Sequence, residues 1–205
     1  VPETHRTILT ARVCEMAAAQ VDAMIGADRL AAIKAVDPHP LFGVYQVAVE
    51  GLSTGEVVGR GRRAAKHWDA DRIRELAASL HGTHATAAAG EAGAAPTALA
   101  FPDVFSGVQH DGPDRRRVGR VVAGTVRETD QGLAAHAVVW FTPPADHARI
   151  RELDTCSIEA DVELEAAEPG GLWDWVVRKV KAVTGLLVTS RAVARPGFAA
   201  ATALG

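Results

Sequence analysis

The stretch from Phe101 to Gly124 reads FPDVFSGVQHDGPDRRRVGRVVAG and holds two extended segments around a polar turn. A short apolar run predicts a strand from Phe105 to Gln109, which leads into His110 and Asp111. The turn residues DGPD follow, and a Gly-Arg-Val segment lies in a second predicted strand, Arg117 to Arg127. A histidine at a strand end can reach a neighbouring strand while it stays accessible.

The chain on both sides of this stretch is also predicted to be mostly strands. Further strands are expected at Thr97–Phe101, Leu133–Phe141, Ser157–Ala166 and Trp173–Leu187. The turn sequences TDQG and EPGG separate some of them. One helix is predicted within this series, with Thr142 as its cap and PADHARIREL as part of its body. This pattern predicts an α+β domain or a barrel-like one.

The first 40 residues are predicted to be helical. Thr10 can cap a helix that Gly26 ends, and Asp28 can cap a second helix. The sequence DPHP, which ends at Pro40, stops the helical pattern because proline biases its neighbour away from helix. The expected organisation is a helical N-terminal arm of residues 1–40 and a main domain of residues 41–205.

The main domain is predicted to begin with a hairpin and a helix. GVYQVAVEG and EVVGRGRR have strand patterns, and LSTG between them is a candidate turn. Asp69 or Asp71 can cap DADRIRELAASLHG, whose apolar residues recur at helical spacing and which Gly82 can end. We expect this helix to lie on the sheet. Thr83 to Pro96 lacks large apolar side chains and is predicted to be a surface loop.

Composition narrows the classes of function. The 205 residues are 48% hydrophobic and carry 22 Lys and Arg against 25 Asp and Glu, so the formal charge of −3 gives no reason to expect nucleic acid or an anionic membrane as a partner. A protein or peptide partner fits better. Cys14 and Cys156 lack the paired spacing of zinc or redox motifs, which favours a reducing, intracellular setting. No segment approaches the roughly 20 apolar residues of a membrane span, and the N-terminal residues lack the pattern of a signal peptide.

A candidate nucleophile lies in LDTCSIEADVEL. Alternation places Ser157, Glu159 and Asp161 on one side of the predicted strand. Serine peptidases need such a hydroxyl beside a base, and His110 has a side chain that titrates near neutral pH. Without further information, Ser157 would be read as an ordinary strand serine and His110 as a hydrogen-bonding loop residue. Cys156 is a rival nucleophile, but adjacent strand residues face opposite ways, so a buried hydrophobic role fits it better.

Together these segments resemble the tailed-phage prohead proteases, the capsid-maturation serine proteases. That family has a His-Asp pair, then a Gly-Arg strand, then a serine that begins a later strand; here these are His110-Asp111, Gly119-Arg120 and Ser157. His110 precedes Ser157 by 47 residues, which is also similar to the family. The resemblance extends over roughly residues 44–198.

The resemblance implies a mostly antiparallel β-barrel of the herpesvirus assemblin type with a few surface helices. It implies a serine endopeptidase with Ser157 as nucleophile and His110 as base, without metal or organic cofactor. The implied substrates are scaffold and major capsid protein precursors, and self-cleavage and self-association are open. The implied location is the bacterial host cytoplasm, inside an assembling prohead.

The sequence departs from the family at the third catalytic position. The family usually has Ser-Ile-Gly at the nucleophile, where this chain has Glu159, and it often has a glutamate where this chain has Gly185. Glu159, Asp161 and Glu163 are alternative carboxylates, each of which could instead be a solvated strand residue. A Ser-His dyad, or a catalytically inactive relative that acts as a scaffold or capsid-assembly protein, stays open.

Other candidates have simpler explanations. Arg191 and Arg195 could support an oxyanion-hole loop or lie on the surface. His81 and His84 lack the partners of a metal site, and a favourable position at a helix end explains them.

Overall fold

The structure is a computed structural model that describes residues 3–14, 18–56, 63–81, 83–84, 99–107, 112–142, 152–153 and 155–189. It is an α+β fold. Three helices are described: α1 Ala18–Ile25, α2 Ala27–Val36 and α3 Ala70–Leu80. The described strands are β1 Glu3–Cys14, β2 Leu41–Val49, β3 Gly51–Glu56, β4 Arg63–Trp68, β5 Thr83–His84, β6 Leu99–Ala100, β7 Asp103–Ser106, β8 Arg116–Thr129, β9 Gly132–Phe141, β10 Thr155–Ala166 and β11 Trp175–Thr189.

The main sheet is mixed and has the strand order β10-β1-β2-β9-β8-β7-β11-β4-β3. Its neighbours are antiparallel, except that β11 pairs in parallel with β7 and with β4. Strand β10 pairs with β1 on one side and with β11 on the other, so the first strand of this order also contacts the seventh. The short strands β5 and β6 pair only with each other.

Alternation along the strands builds the main core. On β10, Cys156, Ile158 and Ala160 are fully buried in this core. Their neighbours in sequence belong to the opposite face, because successive strand residues point to opposite sides. Apolar side chains of most other strands and of α3 complete the main core, among them Tyr45, Val47, Trp68, Ile73, Leu76, Leu80, Val121, Val139, Phe141 and Leu186.

Helix α3 lies on the sheet as the sequence predicts. Asp69 caps it by accepting a hydrogen bond from the backbone N–H of Arg72 at 2.9 Å. Its approach to β8 depends on Gly124, because a Cβ atom at that position would lie 2.6 Å from the Cβ of Leu80 and 2.7 Å from the backbone nitrogen of His81. The helix therefore packs directly against the β8 backbone.

Side chains of α3 also take the place of a neighbouring strand along part of β11. Strand β11 pairs with β4 near Val176 and with β7 from Leu186 onward. Between these two pairings, Glu75 Oε2 accepts a hydrogen bond from the backbone N–H of Val180 at 2.9 Å. Ser79 Oγ likewise accepts from the N–H of Val183 at 2.8 Å. Backbone donors that a strand would satisfy are thus satisfied by a helix.

We expect Ser79→Ala to destabilise the protein by about 1–3 kcal/mol, because the buried N–H of Val183 then loses its acceptor. Urea denaturation followed by circular dichroism measures the change. Ala78→Ser is the matched control, since residue 78 lies on the exposed side of α3, and it should change the free energy of unfolding by no more than about 0.5 kcal/mol. Equal effects of both variants would contradict this role for Ser79.

Helices α1 and α2 pack on the opposite face of the sheet in a second core. Its buried members are Val21, Ile25, Ile33, Val44, Val122, Ala123 and Val138. Two polar contacts hold α2 in place: Arg29 donates to the backbone oxygen of Val122, and Trp140 Nε1 donates to Asp37 Oδ2 at 2.9 Å. Both helices are therefore integrated with the sheet, and they lie within the segment for which the sequence predicts helices.

Two predictions near the N-terminus are wrong. Glu3–Cys14 is a strand, not part of a helix, and it pairs with β10 and β2. This segment is rich in β-branched residues, and long-range pairing outweighs its helical spacing. The predicted turn LSTG lies inside β3, which pairs with β4, whereas β2 pairs with β1 and β9. The division into residues 1–40 and 41–205 stays a prediction, although β1 belongs to the main sheet.

The other strand predictions agree with the structure to within a few residues, from β6 through β11. The turn TDQG joins β8 to β9, and its Gly132 adopts a positive φ of 110°. Most of the predicted helix after Thr142 and most of the loop Thr83–Pro96 lie outside the described residues. Among the residues that are described, no helix combines the length and apolar character needed to cross a bilayer.

Candidate functional site

Ser157 lies on β10 between two neighbouring strands, paired with Leu187 of β11 and with Thr10 of β1. It belongs to the face of β10 opposite the main core, which we call the site face; Thr155, Ser157 and Glu159 are its buried members. Ser157 is 1% exposed. A peptide can reach its hydroxyl only if the surrounding residues move.

One row of paired residues links the strand of Ser157 to the strand that precedes His110. Ser157 is opposite Leu187, and Leu187 is opposite Phe105 of β7. Adjacent strands are about 4.8 Å apart, so β7 lies two spacings, or about 10 Å, from β10 in this row. His110 and Asp111 lie outside the described residues.

The described residues on either side of His110 are held close to β10 and β11. On the N-terminal side, the backbone N–H of Gly107 donates to the oxygen of Val188 at 3.3 Å. On the C-terminal side, the N–H of Arg115 donates to the oxygen of Gly112 at 3.1 Å, which forms a turn. The chain therefore leaves β7 next to β11 and returns in a turn that begins at Gly112.

Arg115 connects this returning segment to the strand of Ser157. Its guanidinium group lies 3.8 Å from the centre of the Phe105 ring, a cation–π contact. Its Nη1 lies 4.0 Å from Glu159 Oε1. The Glu159 side chain is 8% exposed and that of Arg115 is 28% exposed, so solvent screens this ion pair less than a surface pair.

Of the acidic candidates on β10, Glu159 lies nearest to Ser157 in the strand and is buried on the site face. It lies two residues after Ser157, is 6% exposed and pairs with Gly185 of β11. The Thr184 hydroxyl is 3.4 Å from the backbone oxygen of Glu159 and 3.5 Å from its Oε2. Gly185 leaves room there, since the nearest atom to a Cβ at that position would be Arg115 Nη2 at 3.7 Å.

The two other acidic candidates on β10 are less buried. Glu163 forms an ion pair with Lys181 at 3.2 Å, and Asp161 is only partly buried. Register shifts in the pairing of β10 with β11 occur after Glu159, after Asp161 and after Glu163. Each shift leaves the extra residue on β11, so β10 keeps its alternation, and Asp161 and Glu163 stay on the side of the strand that the sequence predicts. Of the three, Glu159 alone is buried.

Most of the remaining candidates have structural roles. Cys156 is fully buried in the main core, as expected from its position beside Ser157. His81 is exposed, and its Nδ1 accepts a hydrogen bond from the N–H of Gly124 at 3.4 Å. Within the described part of the chain, no three His, Cys, Asp or Glu side chains are grouped to hold a metal ion. Arg191 and Arg195 lie outside that part.

Sequence reasoning missed a buried histidine away from the site face. His136 on β9 is 2% exposed and lies opposite Gln46 of β2. Within the described residues, His136 Nδ1 and Gln46 Oε1 have no hydrogen-bond partner. Burial, together with the charge of Arg127, lowers the pKa of His136 to about 4, despite a hydrogen bond to the backbone of Ala134.

This histidine should make stability depend on pH. Its pKa is about 6.5 in the unfolded chain and about 4 in the folded one, so between these values the unfolded chain binds a proton that the folded chain does not. The contribution of neutral His136 to the free energy of unfolding is complete above about pH 6.5. It is lost as the pH drops toward 4, by up to about 3 kcal/mol.

Urea denaturation at pH 7 and pH 4.5 tests this expectation. The loss of stability between these values should be smaller in His136→Gln than in the wild type by about 2 kcal/mol. The exposed His39→Gln serves as the control and should keep the wild-type dependence. An unchanged pH dependence in His136→Gln would contradict the role given to this residue.

Comparison of the chain with models of protein families, with curated proteins and with solved structures finds no match.

Proposed function

We propose that this chain is a serine endopeptidase of the prohead-protease type, which cleaves scaffold and major capsid protein precursors during phage capsid maturation. The observation that carries the proposal is the row formed by Ser157, Leu187 and Phe105 across β10, β11 and β7. His110 follows Phe105 by five residues. Strand β10, which carries Ser157, and strand β7, which leads to His110, are therefore separated by one strand, β11.

Chain geometry is compatible with contact between the two residues. His110 is the third residue after Gly107, so its Cα can lie at most about 11 Å from that of Gly107. Gly107 itself is hydrogen-bonded to β11, the strand adjacent to β10. In the proposed reaction Ser157 Oγ attacks the scissile carbonyl carbon, and His110 accepts the hydroxyl proton. His110 then donates that proton to the departing amine, and water releases the acyl group by the same route.

Glu159 is proposed as the carboxylate that orients His110. Relative to the family pattern, this chain has glutamate where glycine is usual and glycine where glutamate is frequent. These two positions, Glu159 and Gly185, are directly paired across β10 and β11. A carboxylate supplied from either strand would occupy nearly the same place beside Ser157. Glutamate at position 159 therefore keeps the negative charge there, and glycine at position 185 leaves room for the glutamate side chain.

We also propose that the fold is a mostly antiparallel β-barrel like that of the herpesvirus assemblins. The pairing of β10 with both β1 and β11 supports this proposal, because it joins the first and seventh strands of the sheet order. The proposed location is the host cytoplasm, inside the assembling prohead. The proposed chemistry uses protein side chains alone, and self-cleavage and self-association are further expectations of the same model.

A second candidate function is that of a catalytically inactive relative that acts as a scaffold or capsid-assembly protein. The observation that favours it is the burial of Ser157, which is 1% exposed. An active enzyme must uncover this hydroxyl for its substrate, whereas an assembly protein has no such requirement.

Cleavage of the capsid precursor separates the two functions. Purified wild-type protein is incubated with the precursor, and the fragments are identified by mass spectrometry. The protease proposal expects discrete fragments with the wild type and with Thr125→Ala, which removes a hydroxyl from β8, and none with Ser157→Ala. An intact precursor in every sample, with all variants folded by circular dichroism, favours the assembly role.

A further inference from the structure

A cavity of about 290 Å³ opens beside the site face, where β11 bulges. Glu159 pairs with Gly185 and Ala160 pairs with Val183, so Thr184 has no partner on β10 and forms the bulge. Residues from α3, from the start of β7 and from the turn after His110 complete the wall. Its lining includes the side chains of Phe101, Asp103, Phe105, Arg115 and Thr184.

The cavity has the size of a subsite for one side chain. Its volume is at the lower end of the range for ligand pockets, about 300–1,000 Å³. The wall is mostly polar, and the Phe101 and Phe105 rings are each stacked against an arginine guanidinium group. A single side chain with a polar end therefore fits better than a complete small molecule.

Charges of both signs line the cavity, and each lies near an opposite charge. The Arg115 guanidinium lies 4.0 Å from Glu159, and the Asp103 carboxylate accepts a hydrogen bond from Arg117 Nε at 2.8 Å. An incoming ammonium group would meet the like charge of Arg115. An incoming carboxylate would meet the like charge of Asp103, which lines the cavity. The wall therefore disfavours ligands of either charge.

Hydrogen-bonding groups of both kinds are nevertheless present. Arg115 supplies N–H donors, and the Asp103 carboxylate and the Thr184 hydroxyl supply acceptors. A carboxamide matches this arrangement because its oxygen accepts and its NH₂ group donates, without net charge. Glutamine carries this group on two methylenes, which let it reach into the cavity.

We propose that this cavity is the subsite that recognises a glutamine side chain of the peptide substrate. This proposal rests on the proposed protease function, since it places the glutamine beside the scissile bond. Phe105 is in the same strand row as Ser157, two strand spacings or about 10 Å away. An extended peptide rises about 3.3 Å per residue, so the glutamine lies within about three residues of the cleaved bond.

The test uses mixed-sequence decapeptide libraries in which one position is fixed as Gln, Glu, Lys or Leu, and the fixed position is moved along the peptide. The wild type should cleave the Gln library at least about tenfold faster, in kcat/KM, than the Glu and Lys libraries at one position near the cleaved bond. Asp103→Asn should raise cleavage of the Glu library relative to the Gln library by about tenfold, because one repelling carboxylate is removed. Asp130→Asn, which removes the same charge from an exposed turn, should leave the ratio unchanged.

Binding of the same libraries to the Ser157→Ala variant tests the subsite independently of catalysis. Amide chemical shifts of Thr184 and Gly185 report occupancy of the cavity. If the wild type cleaves all libraries equally well at every position, the subsite proposal is overturned and the protease remains. If no library is cleaved but the Gln library alone shifts these amides, the subsite stands and the protease fails. If neither cleavage nor selective binding occurs, both proposals are lost.

Discussion

Replacing Glu159 with glycine is expected to slow precursor cleavage by about 10⁴-fold, the order of loss that follows removal of an orienting carboxylate from a serine protease triad. The double variant Glu159→Gly with Gly185→Glu should recover at least about tenfold of that loss. The reason is the direct pairing of the two positions across β10 and β11, which lets either strand supply the carboxylate beside Ser157 and Arg115.

Two further variants test whether the recovery is specific to this pair of positions. Gly185→Glu alone places two carboxylates at directly opposite positions, and like charges there are destabilising, so this single variant should be less stable than the wild type. Glu163→Gln removes a carboxylate of the same strand that pairs with Lys181, and its cleavage rate should stay within about twofold of the wild type. A double variant as slow as Glu159→Gly, although folded, would show that Glu159 does not act as the orienting carboxylate.

The largest expected loss of stability follows from Gly124→Ala. The added Cβ would lie 2.6 Å from the Cβ of Leu80 and 2.7 Å from the backbone nitrogen of His81, and closer still to the backbone oxygen of Ala77. Backbone atoms cannot move aside as a flexible side chain can, so α3 must separate from β8. Leu76, Leu80 and Ile73 then lose burial in the main core. We expect destabilisation of more than about 4 kcal/mol, which is exceptional for one methyl group.

Gly185→Ala is the matched control for this variant, because its Cβ would meet no atom closer than 3.7 Å. It should change the free energy of unfolding by less than about 1 kcal/mol, as measured by urea denaturation. A Gly124→Ala variant as stable as this control would mean that α3 does not pack on β8 as described.

Sequence patterns predicted the strands of the second half of the chain well. Strands β8 to β11 are long; alternation of apolar and polar residues marks the core face of β8, β10 and β11, and β9 is a nearly continuous apolar run after a turn. The same reasoning failed at β1, where spacing that resembles a helix continues into the true helix α1. Pairing with β10 over ten residues decides the conformation there, and a local pattern does not contain that pairing.

The candidate site was predictable only in part for a related reason. The strand of Ser157 and the face it shares with Glu159 follow from alternation. The pairing of Glu159 with Gly185 depends on the register of β10 against β11, and three shifts interrupt that register. A shift by one residue reverses which side chains face each other, so separate sequences of two strands do not determine their cross-strand pairs. His136 was missed because its flanking residues are apolar on both faces of β9.

Reaction with a peptide phosphonate, followed by intact-mass analysis and peptide mapping, is the most direct test of Ser157 as an activated nucleophile. The wild type should gain one phosphonyl group, located on Ser157. Labelling should be slower by at least about 10³-fold in His110→Ala, which lacks the base, and should not occur in Ser157→Ala. No adduct in the folded wild type, or an adduct on another residue, would contradict the assignment of Ser157.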